Sequence, residues 1–200
     1  MLGLPFEVVG SGYDEAQVDP SAFAPPEYVV KLARGKAAEV AGRMDTDAWV
    51  IGADTTVVLD GAYLNKPQDA ADAHRMLRSL SGRTHKVYTG LCLLRGPKAL
   101  TECVATEVTF DTLTDSVIAA YVATGEPLDK AGAYGIQGKA LSFIPSIHGD
   151  YFNVVGLPLE RLRRLLLPYF RDIAPAPPQP TFPDPILYGK AGEQLKLNEN

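Results

Sequence analysis

The chain reads as an α/β protein built on a mixed sheet flanked by helices. Three features carry that reading. Strand-like and helix-like stretches alternate over residues 1 to 170. Two glycine-centred turns, Asp60-Gly61 and Gly96-Pro97, sit between apolar runs and mark hairpins. The strands do not alternate singly with helices, so a regular β-α-β succession is excluded and a mixed sheet follows.

The elements follow in order. Glu27 to Ala41 places Val29, Leu32, Ala33, Ala37 and Val40 on one helical stripe, with Gly42 suited to the stop. Trp49 to Gly52 reads as a short buried strand. It leads through Ala53-Asp54-Thr55-Thr56 to a hairpin, Val57 to Leu59 and Ala62 to Leu64, whose Asp60-Gly61 turn suits type I′. Asp69 is placed to cap a helix through Ser79 with Ala73, Met76, Leu77 and Leu80 inward and Gly82 as terminator. Val87 to Leu94 and Thr101 to Phe110 form a longer hairpin. Thr114 or Asp115 caps a helix with Val117, Ile118, Tyr121 and Val122 on its apolar face, closed by Gly125. The glycine-rich stretch 132 to 138 leads to expected strands at Leu141 to Ile144 and at Tyr151 to Val155. A last amphipathic helix spans Leu159 to Tyr169.

Domain organisation follows from proline. Six prolines lie between residues 174 and 185, where neither a helix nor a central strand can continue, so the domain is expected to cover 1–171 and a linker or disordered tail 172–200.

Composition narrows function. In 200 residues, 46% hydrophobic and 22% charged side chains suit a compact soluble domain, and no apolar run approaches a membrane span. The first residues lack the pattern of a secretory signal, so a cytoplasmic protein is expected. A net charge of −5 argues against a nucleic-acid polymer as partner. The two cysteines, Cys92 and Cys103, and three scattered histidines give no zinc-ligand spacing.

Four features bear on chemistry, each with a plain alternative. Lys36 lies on the apolar stripe of the first helix. It either snorkels to water or aims an ammonium into a cleft to hold phosphate. Asp54 follows a buried strand and is either a site residue or the anchor of an Asx turn. Lys66 precedes Pro67, which favours extended backbone and fixes where its side chain points; taken alone, an exposed loop lysine is the reading that wins. Gly132, Gly135 and Gly138 permit tight turns or close approach to a phosphate or base, but their spacing is neither a dinucleotide fingerprint nor a P-loop.

Taken together these stretches resemble a known family. Leu2-Gly-Leu-Pro-Phe-Glu-Val-Val, Leu32-Ala-Arg-Gly-Lys-Ala, Val50-Ile-Gly-Ala-Asp-Thr-Thr-Val-Val, Asn65-Lys-Pro, Met76-Leu-Arg-Ser-Leu-Ser-Gly-Arg-Thr-His, Val87-Tyr-Thr-Gly, Gly125-Glu-Pro-Leu-Asp-Lys-Ala-Gly-Ala-Tyr-Gly-Ile-Gln-Gly and Asn153-Val-Val-Gly-Leu-Pro-Leu are similar, in that order, to the Maf family of nucleoside triphosphate pyrophosphatases. Thr55 after the aspartate, together with Gly-Ile-Gln-Gly, resembles the branch acting on dTTP and UTP. Ser146-Ile-His-Gly-Asp-Tyr-Phe-Asn also resembles the Maf domain of acetylserotonin O-methyltransferase-like proteins.

The resemblance implies an elongated Maf/ITPase-like α/β fold with a cleft, often a homodimer. It implies hydrolysis between the α and β phosphates with a divalent cation, Mg²⁺ or Mn²⁺. Asp54 is then the general base, Lys36 and Lys66 contact phosphates, Glu15 joins Asp54 as an acidic partner for metal or water, and Thr55 and Gln137 lie where the base is selected. The family pattern also places a strand and a Ser-x-Ser-Pro-Arg-Arg loop ahead of the Leu-Gly-Leu-Pro-Phe segment at which this sequence starts. The first strand is therefore expected to be missing and activity impaired, with a catalytically impaired nucleotide-binding or dimerisation module as the alternative function. Leu2 to Val9 is expected to form a strand.

Overall fold

The computed structural model describes residues 2–44 and 47–182. Its centre is a five-stranded sheet with neighbours in the order β2-β1-β3-β4-β5, formed by β1 (Val50–Leu59), β2 (Ala62–Leu64), β3 (Thr84–Arg95), β4 (Lys98–Thr109) and β5 (Ser146–His148). All four pairings are antiparallel. The two-residue turns account for two of them. Asp60 and Gly61 adopt φ of 49° and 82°, the pair of positive values that a type I′ turn requires. Gly96, at φ 54°, opens the turn from β3 to β4.

Helix α1 (Pro25–Arg43) lies across one face of β1 and β3, and the sequence shows how it gets so close. Gly52 and Gly90 meet its backbone directly: a methyl on either would overlap the main chain of Ala33 or Val29. Ala33 and Ala37 are fully buried against Cys92 in this contact. On the opposite face, α4 (Tyr151–Val155) and α5 (Leu159–Leu166) cover β3 and β4, with Leu162 and Leu166 packed on Leu91 and Leu93. Helices α2 (Ala70–Leu80) and α3 (Asp115–Val122) close one end of the sheet over Val57, Leu59, Val87 and Val108. Their expected caps are present: the Asp69 carboxylate accepts from Asp72 N at 2.8 Å, and Thr114 Oγ1 from Val117 N at 3.3 Å.

Three expected strands are not strands. Leu141 to Ile144 lies largely in a 3₁₀ turn, Lys139–Phe143. Tyr151–Val155 is helical because Asp150 caps the amides of Phe152 and Asn153 and Gly156, at φ 111°, ends the turn. Leu2 to Val9 forms no ladder: Pro5 has no amide to donate, Leu2 is buried, and Phe6 and Val8 are exposed. Asp54, expected near the end of a short strand, instead lies inside the continuous β1. The start of the proline-rich tail runs back over the domain, where Ala174 N donates to Leu2 O at 3.1 Å and Gln179 Oε1 accepts from Tyr151 N at 2.9 Å. The stretch 183–200 of that tail lies outside the described residues. Among the described residues no helix is long and apolar enough to cross a membrane.

Candidate active site

One cleft of about 1010 Å³ runs beside the middle of β1, and Glu15, Lys36, Asp54, Thr55, Lys66 and Gln137 all line it. The six residues singled out from sequence, spread over more than 120 positions, therefore share one space. That volume accommodates a nucleotide.

The charged centre is built from α1 and β1. Asp54 projects from the α1-facing side of the sheet, where its cross-strand neighbour is Gly90. Lys36 Nζ donates to Asp54 Oδ1 at 2.6 Å and lies 2.8 Å from Glu15 Oε1. Neither plain alternative holds, since Lys36 is paired rather than snorkelling freely and Asp54 anchors no turn. Glu15 reaches Lys36 because residues 11 to 15 are strapped along α1. Tyr13 packs its ring over Gly35, where any side chain would collide with it, and Glu39 accepts from Gly12 N at 2.9 Å and Ser11 Oγ at 3.0 Å. Asp14 then caps the 3₁₀ turn Glu15–Gln17.

The electrostatics of this triad pull in opposite directions. Burial raises the Asp54 carboxyl above the ordinary carboxylate value, and the ammonium of Lys36 offsets only part of that. Burial works against the charge on Lys36 too, but Asp54 and Glu15 outweigh it and hold the ammonium above its usual value. Asp54 is 8% exposed and Glu15 46%, so the pair presents one shielded and one open carboxylate.

Lys66 extends from the segment after β2. Thr56 Oγ1 donates to Asn65 Oδ1 at 3.0 Å, Gly132 N donates to Asn65 O at 3.2 Å, and Pro67 is buried, so the backbone at Lys66 is pinned while its ammonium has no hydrogen-bond or ion-pair partner among the described residues. Across the cleft the glycine-rich loop carries Gln137. Its conformation rests on groups that sequence reading passed over. Tyr121 Oη donates to Glu126 Oε1 at 2.8 Å and accepts from Gly135 N, while Lys139 N donates to Glu126 Oε2. Gly138 sits so close to the Glu126 carboxylate that a side chain there would push the carboxylate out of its hydrogen bonds. Asp129 and Lys130 also line the cleft, paired with each other at 2.6 Å. The signal for them was the acidic Glu126-Pro-Leu-Asp-Lys run just ahead of the glycines.

The cleft fits a divalent cation in a limited way. Its lining carries five carboxylates (Glu15, Asp19, Asp54, Glu126 and Asp129) against three lysines, so by itself it repels a polyanion. Glu15 and Asp54 both lie within 2.8 Å of the Lys36 Nζ, so the two carboxylates face one point beside that ammonium. Among the described residues no cluster of three or more His, Cys, Asp or Glu forms a full protein cage. One or two carboxylates sharing an ion with substrate phosphates is the usual mode of Mg²⁺ binding, and this pair is of that kind.

Comparison with known proteins follows the same outline. Over 175 residues the chain is 51% identical to the dTTP/UTP pyrophosphatase of Moorella thermoacetica, covering 86% of this chain and 88% of that protein. It is 50% identical over 160 residues to the dTTP/UTP pyrophosphatase of Thermococcus gammatolerans, with 80% and 83% covered. The dTTP/UTP pyrophosphatase of Shigella sonnei is 51% identical over 165 residues, with 82% and 83% covered. The family model described as Maf-like protein matches residues 1–168, which include every element lining the cleft, and the chain belongs to the Maf family.

Proposed function

We propose that the protein is a nucleoside triphosphate pyrophosphatase acting on dTTP and UTP, releasing the monophosphate and pyrophosphate. The observation that carries this reading is the joining of Glu15, Lys36 and Asp54 into one ion-paired centre inside the cleft that also holds Lys66, Thr55 and Gln137. The relatives' shared name supports the substrate pair.

Asp54 takes the proton of the attacking water. Its raised pKa makes it a stronger base than an exposed aspartate, while Lys36 fixes the orientation of Oδ1. The free ammonium of Lys66 and that of Lys36 offset phosphate charge. Glu15 and Asp54 are the residues that would hold a Mg²⁺ or Mn²⁺ ion, which when bound neutralises phosphate charge and acidifies water. Gln137 offers an amide N–H donor suited to a carbonyl of uracil and thymine. A homodimer and a cytoplasmic setting belong to the same proposal; light scattering reads the first and fractionation the second.

The test is pyrophosphate release from dTTP, UTP, CTP, ATP and GTP. The expected ranking places dTTP and UTP first, and Asp54→Asn, which keeps the shape of the side chain, abolishes release. Wild-type turnover in that variant removes Asp54 from the role of base; equal rates on all five nucleotides remove Gln137 from base selection.

A further inference from the structure

The side of β1 opposite Asp54 carries a hydrogen-bond chain whose direction is fixed. Thr89, fully buried, donates its hydroxyl proton to Asn153 O at 2.8 Å, because a carbonyl can only accept. Thr55 Oγ1 lies 2.8 Å from Thr89 Oγ1. A hydroxyl has one proton, and that of Thr89 is already used, so Thr55 must be the donor of the pair. Asn153 cannot swing away to release Thr89. Its Nδ2 donates to Val87 O and to Thr106 Oγ1, both at 3.0 Å, and Thr106 in turn donates to Asp150 O. Asn153 O also accepts from Gly156 N at 3.0 Å.

Thr55 thus faces the cleft with its proton committed inward and its lone pairs free. Space is kept for a ligand there by Gly156, whose position leaves any added Cβ 3.4 Å from Thr55 Oγ1. We infer that Thr55 is an acceptor-only contact for the ring N3–H of uracil and thymine, and that Thr89 is the positioning residue that enforces this polarity. Uracil and thymine carry a donor at N3, whereas cytosine carries a lone pair there. Cytosine would set two acceptors against each other, leaving both unpaired in a partly dry site. The inference rests on the nucleotide pyrophosphatase reading and adds to it the atom that rejects CTP.

The experiment measures kcat/KM for UTP, CTP, ATP and N3-methyl-UTP, which keeps the uracil carbonyls but has no N3–H. Wild-type protein is expected to treat N3-methyl-UTP as poorly as CTP. Thr89→Val leaves the Thr55 hydroxyl free to turn and donate, so the preference for UTP over CTP falls by on the order of tenfold while the preference over ATP, set by size, is unchanged. Thr89→Ser restores the acceptor and with it the preference. Efficient hydrolysis of N3-methyl-UTP by the wild type overturns the inference without any variant. So does an unchanged UTP-to-CTP ratio in folded Thr89→Val, or a ratio against ATP that falls in parallel, since that reports general loosening. Absence of pyrophosphate release from both UTP and dTTP overturns the nucleotide reading itself, and the inference with it.

Discussion

His85 makes the protein sensitive to acid in a way that can be worked out from its surroundings. The imidazole is 2% exposed, enclosed edge-to-face by Phe110 and Tyr134, with Nε2 2.8 Å from Tyr134 Oη and Nδ1 without a hydrogen-bond partner among the described residues. A second proton would place a charge and an unmatched N–H in an apolar cluster, so burial pushes its pKa down to about 3. In the unfolded chain the same group titrates near ~6.5. Above that value neither state binds the proton and stability is unaffected. As pH falls below it, only the unfolded state gains a proton, so stability declines, and the decline ends near the folded value. The slope is about 1.4 kcal/mol per pH unit, which gives roughly 2 kcal/mol lost between pH 7.5 and pH 5. His85→Gln retains a polar group for Tyr134 but does not titrate. Urea unfolding at the two pH values should find the variant weaker at pH 7.5, through lost ring contacts, with the gap to wild type narrowed by roughly 2 kcal/mol at pH 5. A gap that is the same at both pH values would refute the assignment of a neutral buried imidazole.

Other outcomes follow from the site and its supports. Lys66→Ala should lower kcat/KM for UTP by about 1.5–3 kcal/mol, the range for a charge-assisted hydrogen bond, with little change in melting temperature. Lys36→Ala should lower it comparably and also move the acid limb of the pH–rate profile upward, because Lys36 is the main group holding the Asp54 pKa down; a limb that stays in place or moves down contradicts the pairing. EDTA should silence pyrophosphate release, and added Mg²⁺ or Mn²⁺ should restore it. Gly52→Val should cost on the order of 1–3 kcal/mol in unfolding free energy, because its side chain collides with the Ala33 carbonyl; a thermal melt unchanged from wild type would show that α1 does not seat there.

The parts of the fold that could be read from sequence are those where one residue's chemistry permits few conformations. Asp60-Gly61 announced a I′ turn because few other pairs tolerate two positive φ values, and Asp69 and the Thr114-Asp115 pair announced helix starts because their side chains can replace missing intrahelical acceptors, Thr114 being the one that does so. The misread segments are short and apolar, and there period alone cannot separate strand from helix. At Tyr151–Val155 the decisive signals were Asp150 before and Gly156 after the run. Lys36 stood out on an apolar stripe, but its two carboxylate partners are 21 residues upstream and 18 downstream, a meeting made by the strap over Gly35 and the packing at Gly52 and Gly90. Thr89 and Asn153 fell inside motifs that carry the family resemblance, but they were given no role, since a buried threonine and asparagine look ordinary until the direction of their hydrogen bonds is traced.

Asp54 and Thr55 are joined by a single peptide bond, yet the pleat of β1 sends them to opposite faces of the sheet. Hydrolysis and base choice can therefore be altered one at a time: substitutions around Thr55, Thr89 and Gly156 can change which nucleotide is accepted while the ion-paired centre beside α1 stays intact. The same geometry makes β1 intolerant of changes in length. Slipping the pairing of β1 with β3 by one position inverts every side chain along the strand. A slip would turn the carboxylate toward Asn153 and the hydroxyl toward Lys36, and would also put a side chain where Gly52 meets α1 and turn Val57 and Leu59 out of the core, so the site and the fold would fail together. Insertions at the Asp60-Gly61 and Gly96-Pro97 turns, which lie at strand ends, leave this alternation untouched.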